Sequence, residues 1–353
     1  MTTTETSVVG VPAAAPTRLP FAKAINAGLQ AALAADPKVL LMGEDIGRLG
    51  GVFRVTDGLQ AEFGTTRVVD SPLAESGIVG TAIGLAMRGY RPVCEIQFDG
   101  FIFPAFDQIT TQLAKMHYRS AGRVSLPVVI RVPFGGGIGA VEHHSESPEA
   151  LFAHTAGLRV ISPSSPADAY VMIQEAIASP DPVLFFEPKS RYWEKGDVAL
   201  GSGPYGAGEV PKTSAADLTT LNRAVVVRPG TDLTLVAYGP TVATALKVAE
   251  TAAAEGTSIE VVDLRTISPL DSATVVASVR RTGRCVVVHE APAFYGVGAE
   301  VAAQVTEECF YQLEAPVQRV GGFHMPYPPA QLEHDYLPSL DRVLDAVDRA
   351  LSY

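Results

Sequence analysis

Cysteine is scarce in this chain of 353 residues, which contains only three. Cys94, Cys285 and Cys309 stand singly, and no C-x-x-C pair occurs in the sequence. This usage excludes a disulfide framework, argues against a structural zinc site and fits a protein of a reducing compartment. We therefore expect all three cysteines to be packing residues.

Positive charge is also in short supply, because 27 Lys and Arg residues face 38 Asp and Glu residues and the formal net charge is -11. No basic run offers a track for phosphates, so nucleic acid is not an expected partner. The acidic balance does suit a basic protein partner.

Long apolar runs are missing as well, since no stretch approaches the roughly 18 residues that a membrane helix needs. Residues 1–18 lack both a basic segment and an apolar core, so they do not resemble a signal peptide. Their Thr, Ala and Pro content predicts a disordered tail. The expected protein is soluble and cytoplasmic, with no membrane partner.

Apolar residues are abundant, at 47% of the chain against 18% charged residues, which indicates extensive burial and more than one core. Short apolar runs such as "KVLLMG" alternate with helical stripes along two stretches of the sequence. Residues 191–222 between them are rich in Gly, Pro, Lys and Ser and are predicted to form a linker. The pattern predicts an α/β fold of two doubly wound, mostly parallel-sheet domains at residues 19–190 and 223–353.

A single glutamate, Glu75, precedes an almost uncharged, glycine-rich helix in "DSPLAESGIVGTAIGLAM". A carboxylate buried there without a partner is costly, and desolvation favours its neutral form. The simpler interpretation is a helix cap, because an acid in the first turn suits the helix dipole. On this segment alone the cap interpretation is favoured.

The loop "PFGGGIGAVEHHSES" follows a predicted strand and contains a weak match to the dinucleotide fingerprint, at Gly135, Gly137 and Ala140. Polar residues follow where an apolar helix should begin, and no phosphate-binding G-x-x-x-x-G-K-[ST] occurs. We therefore expect a flexible loop whose glycines let the backbone pass close to a ligand.

The histidines of this loop do not have metal-site spacing, and a loop surface is favoured over a metal for His143 and His144. Acid/base catalysis by a loop histidine is a second hypothesis, because open α/β sheets bind ligands at the carboxyl ends of their strands, where this loop lies. His154 and His289 are predicted to be core or interface residues. Three aromatic residues are predicted to be packing residues, namely Tyr118, Tyr192 and Trp193.

Several motifs occur in an order that resembles the β subunit of the thiamine-diphosphate-dependent 2-oxoacid dehydrogenases, a group of transketolase-like proteins. The resemblance runs from about Leu19 to Tyr353 and includes "DSPLAESGIVG", "EIQFDGFIFPAFDQI", "HSESPEALFAH", "VVDLRT", "HEAP" and "LEAPVQRV". It implies that residues 19–190 form a pyrimidine-binding domain and residues 223–353 a transketolase-like C-terminal domain. Within the family, the motifs look most like the branched-chain enzyme, with the pyruvate enzyme close behind.

The resemblance also implies a site. Glu75 matches the glutamate that hydrogen-bonds the N1' atom of the cofactor's aminopyrimidine ring, and Leu73, Gln97 and Phe101 match positions that line this ring. Some branched-chain members have tyrosine where this chain has Phe101, which strengthens the pyruvate alternative. His144 matches the histidine that the family uses near the reacting carbon, during acyl transfer to lipoyl-lysine.

Cofactors and partners follow from the same resemblance. The chain has no G-D-G motif, so the α subunit is expected to hold Mg2+ and the diphosphate of thiamine diphosphate. In some members backbone carbonyls at the positions of Ala176, Ser179 and Asp181 hold a monovalent cation such as K+. The implied assembly is an α2β2 heterotetramer with a second β subunit, which works with a dihydrolipoyl acyltransferase core.

The function implied is oxidative decarboxylation of a branched-chain 2-oxoacid followed by reductive acylation of lipoyl-lysine. The alternatives within the family are a pyruvate or an acetoin dehydrogenase β subunit. A non-catalytic scaffold subunit is the alternative of another class. A scaffold has no need of Glu75, Phe101 and His144 together, and their joint presence argues against it.

Overall fold

The computed structural model describes residues 15–212 and 214–353. Most of the predicted tail therefore lies outside the described residues, whereas Thr17 and Arg18 belong to the first strand. In chain order, the first elements are β1 (Thr17–Pro20), α1 (Phe21–Ala35), β2 (Val39–Gly43), α2 (Leu59–Phe63), β3 (Val68–Asp70), α3 (Glu75–Met87), β4 (Arg91–Glu95), α4 (Ala114–Arg119), β5 (Val129–Phe134), α5 (Glu149–Ala153), β6 (Arg159–Ile161), α6 (Pro166–Ala178), β7 (Val183–Pro188) and β8 (Lys195–Val198). The remaining elements are β9 (Val225–Arg228), β10 (Leu233–Ala237), α7 (Thr241–Ala254), β11 (Ile259–Asp263), β12 (Thr266–Ser268), α8 (Ser272–Thr282), β13 (Cys285–Pro292), α9 (Val297–Cys309), β14 (Gln318–Gly322), α10 (Glu333–Tyr336) and α11 (Leu340–Leu351).

The first large sheet has seven strands in the order β12-β6-β7-β5-β4-β2-β3. All neighbours run parallel except β12, which is antiparallel to β6. Every residue of β2, β5 and β7 is buried, as expected for parallel strands covered by helices on both faces. Their near-continuous apolar runs are the feature by which the sequence predicted them.

The second large sheet has five strands in the order β14-β13-β10-β11-β9, parallel except for β9. Two mostly parallel α/β sheets confirm the predicted fold class. The segment "IEVVDLRT" does not form one continuous strand, because β11 ends at Asp263. The chain turns at Arg265, whose φ is 57°, and β12 then joins the first sheet by pairing with β6.

The two sheets share an apolar core. One cluster of buried residues contains Ile130 and Val132 of β5 together with Val236 of β10 and Val262 of β11. The domains are therefore packed directly against each other rather than separated by a hydrated surface. This packing brings the second half of the chain close to the carboxyl end of β5.

The segment predicted to be a linker, residues 191–222, packs against the first core. It contains β8, which pairs with β1, and several of its side chains are buried. The buried Glu175 carboxylate of α6 also accepts hydrogen bonds from the backbone N–H groups of Thr220 and Leu221, at 3.0 and 2.8 Å. Little local periodicity is visible in this segment because its anchoring residues are isolated: Tyr192, Val198, Tyr205, Leu218 and Leu221.

The cysteines are buried, which confirms that they are packing residues. Burial raises the pKa values of Cys94 and Cys285 to about 12, so both thiols stay protonated at neutral pH. The packing prediction is wrong for Tyr118 and Trp193, whose side chains are exposed. None of the helices in the described part of the chain has both the length and the apolar character needed to cross a membrane.

A buried ion pair network connects three neighbouring strands. The Arg131 guanidinium of β5 donates to Glu95 of β4 at 2.7 Å and to Glu187 of β7 at 2.6 and 3.0 Å. The Tyr192 hydroxyl also donates to Glu187, at 2.5 Å. Burial raises the pKa of Glu95, and Arg131 opposes that shift by favouring the charged carboxylate. Removing the arginine would leave two carboxylates buried without a cation.

We expect Arg131→Met to lower the free energy of unfolding by about 3–5 kcal/mol, because breaking a buried ion pair leaves uncompensated charge. Urea denaturation followed by circular dichroism measures the change. The matched control is Arg280→Met, which removes an exposed pair with Glu308 and should cost less than about 1 kcal/mol. Equal losses in the two variants would contradict this account of the network.

Candidate active site

The predicted site residues lie at one edge of the first sheet. Parallel pairing joins the neighbouring strands β5, β4, β2 and β3 in that order. Their carboxyl ends therefore lie at the same edge of the sheet. Glu75 begins α3 after β3, Gln97 and Phe101 follow β4, and His144 ends a short 3₁₀ helix after β5. Ligands of open α/β sheets bind at this edge.

Glu75 lies beside a second buried carboxyl group, Glu44, which directly follows β2. Each of the two residues is 9% exposed. The Ala74 backbone N–H donates to the Glu44 carboxylate, whereas Glu44 Oε1 is buried and has no partner among the described residues. Burial raises the pKa of Glu44, and the neighbouring charge of Glu75 raises it further. An unpaired buried oxygen of this kind is suited to a polar ligand group.

Sequence reasoning missed Glu44, although a signal was present. A carboxylate that immediately follows a fully buried parallel strand lies at the ligand-binding edge of the sheet. The same rule applies to Gln97, which comes two residues after β4. Its amide nitrogen lies 3.4 Å from both the Glu44 carbonyl and an Asp45 carboxylate oxygen, so the structure brings Gln97 next to Glu44 and Asp45.

Leu73 lies in the loop before α3 and is 81% exposed. Within the described residues it is not packed against the other predicted site residues, and its contact with a ring stays a prediction. An apolar side chain this exposed is available to a ligand or to another chain.

His144 is held between two aromatic rings. The ring of Phe98 stacks on the imidazole at 4.0 Å between centroids with planes 13° apart, and Phe101 meets it edge to face at 5.1 Å. The imidazole Nδ1 is buried and has no partner within the described chain. Phe98 was not predicted as a site residue. The stacking fixes the plane of the imidazole while leaving one nitrogen available.

The neighbouring His143 is exposed and lies on the outside of the same short helix. Throughout residues 15–212 and 214–353, no group of three His, Cys, Asp or Glu side chains could hold a metal ion. His289 is fully buried, and its Nδ1 lies 2.9 Å from the Ala291 carbonyl, as expected for a core histidine. His154 is exposed in the described chain, so it does not lie in the core, and the interface position stays a prediction.

The glycine loop does not form a dinucleotide site, because its backbone donors are already in use. The Gly136 N–H donates to Glu290 at 2.9 Å, and the Gly137 N–H donates to Glu333 at 2.9 Å. Successive N–H groups in such a loop form a concave site for an anion, and here the anions are carboxylates of the protein. Both acids come from the second half of the chain, and sequence reasoning missed them.

A buried ion pair supports the loop from the other side. The Lys189 ammonium lies 3.1 Å from Asp99 Oδ1 and also donates to the Gly135 carbonyl. Burial lowers the pKa of Lys189 and raises that of Asp99, while their attraction opposes both shifts. The second Asp99 oxygen accepts from the Glu146 backbone N–H at 2.9 Å. Asp99 thus connects the residues after β4 with the segment that follows His144.

The carbonyls predicted to hold a monovalent cation lie at the end of α6. The Ser179 carbonyl is 3.4 Å from the Arg91 guanidinium, which also donates to the Ile177 carbonyl at 2.8 Å. The Asp181 carbonyl accepts from the Ser179 hydroxyl at 3.0 Å. This guanidinium would repel a cation at the Ser179 carbonyl, which argues against the predicted K+ site at Ala176, Ser179 and Asp181.

Two family models match the chain. Residues 18–194 match "Transketolase, pyrimidine binding domain", and residues 222–343 match "Transketolase, C-terminal domain". A solved structure described as "Split gene transketolase, inactive beta4 tetramer" is similar in fold, with a TM-score of 0.71 at 24% identity, over 95% of this chain and 98% of that chain. At this identity the likeness concerns the fold alone.

Curated relatives are similar over nearly their whole length. "Pyruvate dehydrogenase E1 component subunit beta" of Leifsonia xyli is 64% identical, over 95% of this chain and 95% of the relative. "3-methyl-2-oxobutanoate dehydrogenase subunit beta" of Mycobacterium tuberculosis is 52% identical, over 94% of this chain and 92% of the relative. "2-oxoisovalerate dehydrogenase subunit beta" of Pseudomonas aeruginosa is 43% identical, over 95% of each chain. The first name refers to pyruvate, whereas the other two refer to one branched-chain 2-oxoacid, because 2-oxoisovalerate and 3-methyl-2-oxobutanoate are the same compound.

We expect K+ to leave the melting temperature unchanged relative to choline at equal ionic strength, because Arg91 already supplies the positive charge at the end of α6. Differential scanning fluorimetry of the full chain measures this. A cation present at a hundred times its Kd would stabilise the fold by about 2.7 kcal/mol, which this method detects. Arg91→Ser should melt at a lower temperature in both salts. A clear increase for the unchanged chain in K+ would contradict the prediction.

Proposed function

The chain belongs to the transketolase-like β subunits of the thiamine-diphosphate-dependent 2-oxoacid dehydrogenases, and on that premise we propose that it supplies the aminopyrimidine half of a decarboxylase active site. The observation that carries the proposal is the buried pair of carboxyl groups, Glu44 and Glu75, at the ligand-binding edge of the first sheet. A structural role does not require two adjacent carboxyl groups in a site of low exposure.

Glu75 is the proposed hydrogen-bonding partner of the N1' atom of the cofactor. When bound, thiamine diphosphate supplies the nucleophilic carbon that attacks the 2-oxoacid. Glu75 exchanges a proton at N1', and its burial strengthens that hydrogen bond because the local dielectric is low. Gln97 and Phe101 border the same edge and are proposed to line the ring, together with the exposed Leu73.

His144 is proposed to handle the proton as the acyl group passes to a lipoyl-lysine. Its support is geometric. Phe98 and Phe101 hold the imidazole in one orientation, and its Nδ1 has no partner in the described chain. A proton-transfer group needs such a fixed orientation and an available nitrogen.

The diphosphate and Mg2+ are proposed to be bound by an α subunit. The sequence contains no G-D-G motif, and the described residues contain no cluster of metal-ligating side chains. The glycine loop has its N–H donors occupied by Glu290 and Glu333. A β subunit of this composition therefore needs a partner, which we propose to be the α chain of an α2β2 heterotetramer containing a second β subunit. A dihydrolipoyl acyltransferase core is the proposed acceptor complex.

Branched-chain 2-oxoacids are the proposed substrates. The motifs "FPAFDQI" and "HSESPEALFAH" support this, together with the relatives from M. tuberculosis and P. aeruginosa, whose names refer to branched-chain 2-oxoacids. Pyruvate is the second candidate, because the L. xyli relative is 64% identical and carries that name, and because Phe101 lacks a tyrosine hydroxyl. A scaffold role is disfavoured by the joint presence of Glu75, Phe101 and His144.

We expect the heterotetramer reconstituted with an α subunit to have its highest kcat/KM for the three branched-chain 2-oxoacids. An apolar pocket gains about tenfold or more for each methylene that it buries, so pyruvate should be turned over less efficiently. Steady-state kinetics with the four substrates measures the ratio. A preference for pyruvate would assign the chain to the second candidate function.

Glu75→Gln should reduce decarboxylation by about a hundredfold or more, because the amide keeps the size but cannot exchange a proton with N1'. Assembly with the α subunit, followed by size-exclusion chromatography, should be unchanged. Glu250→Gln is the control, because Glu250 is exposed on α7 and the same chemical change there should have no effect. Near-normal turnover of Glu75→Gln would favour a scaffold role.

A further inference from the structure

The segment that carries His144 begins with a glycine loop held at several backbone atoms. Gly137 adopts a φ of 88°, which favours glycine, and a Cβ at Gly136 would lie 2.0 Å from the Tyr327 hydroxyl. The loop backbone is thus packed directly against side chains of the second half of the chain. Its glycines serve close packing here, whereas the sequence had predicted a flexible loop.

Glu333 makes the central contacts. One carboxylate oxygen accepts from the Gly137 N–H at 2.9 Å, and the other accepts from the Gly139 N–H at 3.1 Å. The Tyr327 hydroxyl donates to the first oxygen at 2.7 Å. Glu333 is only 6% exposed, so these hydrogen bonds are largely shielded from water. Hydrogen bonds to an ionised carboxylate are stronger than those between neutral groups.

Two further side chains hold the start of the loop. Glu290, at the end of β13, accepts from the Gly136 N–H at 2.9 Å. Lys189 donates to the Gly135 carbonyl and pairs with Asp99. Asp99 directly follows Phe98, whose ring stacks on His144. The loop and the aromatic support of the imidazole are therefore connected through one set of polar contacts.

We propose that Glu333 is a positioning residue for His144: by holding the N–H groups of Gly137 and Gly139, it fixes the segment that places the imidazole against Phe98. Through this contact the second domain controls the geometry of a site built on the first sheet. The functional part of the inference rests on the proposed role of His144 in acyl transfer. The structural part, that Glu333 holds the loop, can be tested without that role.

Glu333→Gln tests the structural part. The amide retains one acceptor oxygen, but in either orientation its NH2 group would face the backbone N–H of Gly137 or Gly139, so at least one hydrogen bond is lost. We expect amide hydrogen exchange in peptides covering residues 135–144 to become about tenfold to a hundredfold faster in the full chain. Mass spectrometry measures this without cofactor or substrate.

The controls separate this effect from general destabilisation. Glu250→Gln makes the same chemical change on the exposed face of α7 and should leave exchange of the loop unchanged. Tyr327→Phe removes one donor to Glu333 and should give a smaller increase. If Glu333→Gln does not fold, Tyr327→Phe alone tests whether Glu333 holds the loop. Unchanged loop exchange in the folded Glu333 variant, or in Tyr327→Phe when only that variant folds, would overturn the inference.

The functional part is tested in the reconstituted heterotetramer. Glu333→Gln should reduce lipoyl acylation by about tenfold or more, with a smaller effect on decarboxylation measured with an artificial electron acceptor. In the double variant with His144→Ala, the loss should equal that of His144→Ala alone, because Glu333 acts through the histidine. Additive losses would overturn the positioning role. If His144→Ala alone has no effect, the proposed function of the histidine fails, while the exchange result still decides whether Glu333 holds the loop.

Discussion

One buried guanidinium determines how the site is assembled. Arg131, in the middle of β5, joins that strand to the carboxyl ends of β4 and β7 through Glu95 and Glu187. The site begins within a few residues of each of these strand ends. Gln97 and Phe98 follow Glu95, the glycine loop follows β5, and Lys189 follows Glu187. Because the ion pairs hold these three strands together, the groups that extend from them keep their relative positions.

A second set of charges extends this rigidity across the two domains. Lys189 and Asp99 link the ends of β7 and β4, and Glu290 and Glu333 reach the glycine loop from the second half of the chain. The shared apolar core packs the two halves of the chain directly against each other. A loop with three glycines in sequence would be flexible alone, so its order here is imposed by tertiary contacts.

The sequence predicted well those features that repeat locally. The helices α1 and α7 follow from apolar periodicity, α3 from its almost uncharged, glycine-rich sequence, and β2, β5 and β7 from continuous apolar runs. Features that depend on distant partners were missed: β12 crosses to the first sheet, and Glu333 contacts a loop 194 residues before it. A contact between residues so far apart in the sequence leaves no periodic pattern. Nothing in the sequence around Glu333 distinguishes it from other glutamates. Glu75 and His144 were found because family motifs surround them, whereas Glu44 and Phe98 required the geometry.

The glycine loop also bears on how the cofactor is divided between chains. Backbone N–H groups that already donate to carboxylates cannot bind a diphosphate, and the negative charges of Glu290 and Glu333 would repel one. This edge of the sheet can accept a neutral ring next to Glu44 and Glu75, where a buried oxygen is unpaired. The negatively charged diphosphate must then be neutralised by positive charge from elsewhere. In the proposed heterotetramer, a metal and donors carried by the α subunit satisfy that requirement.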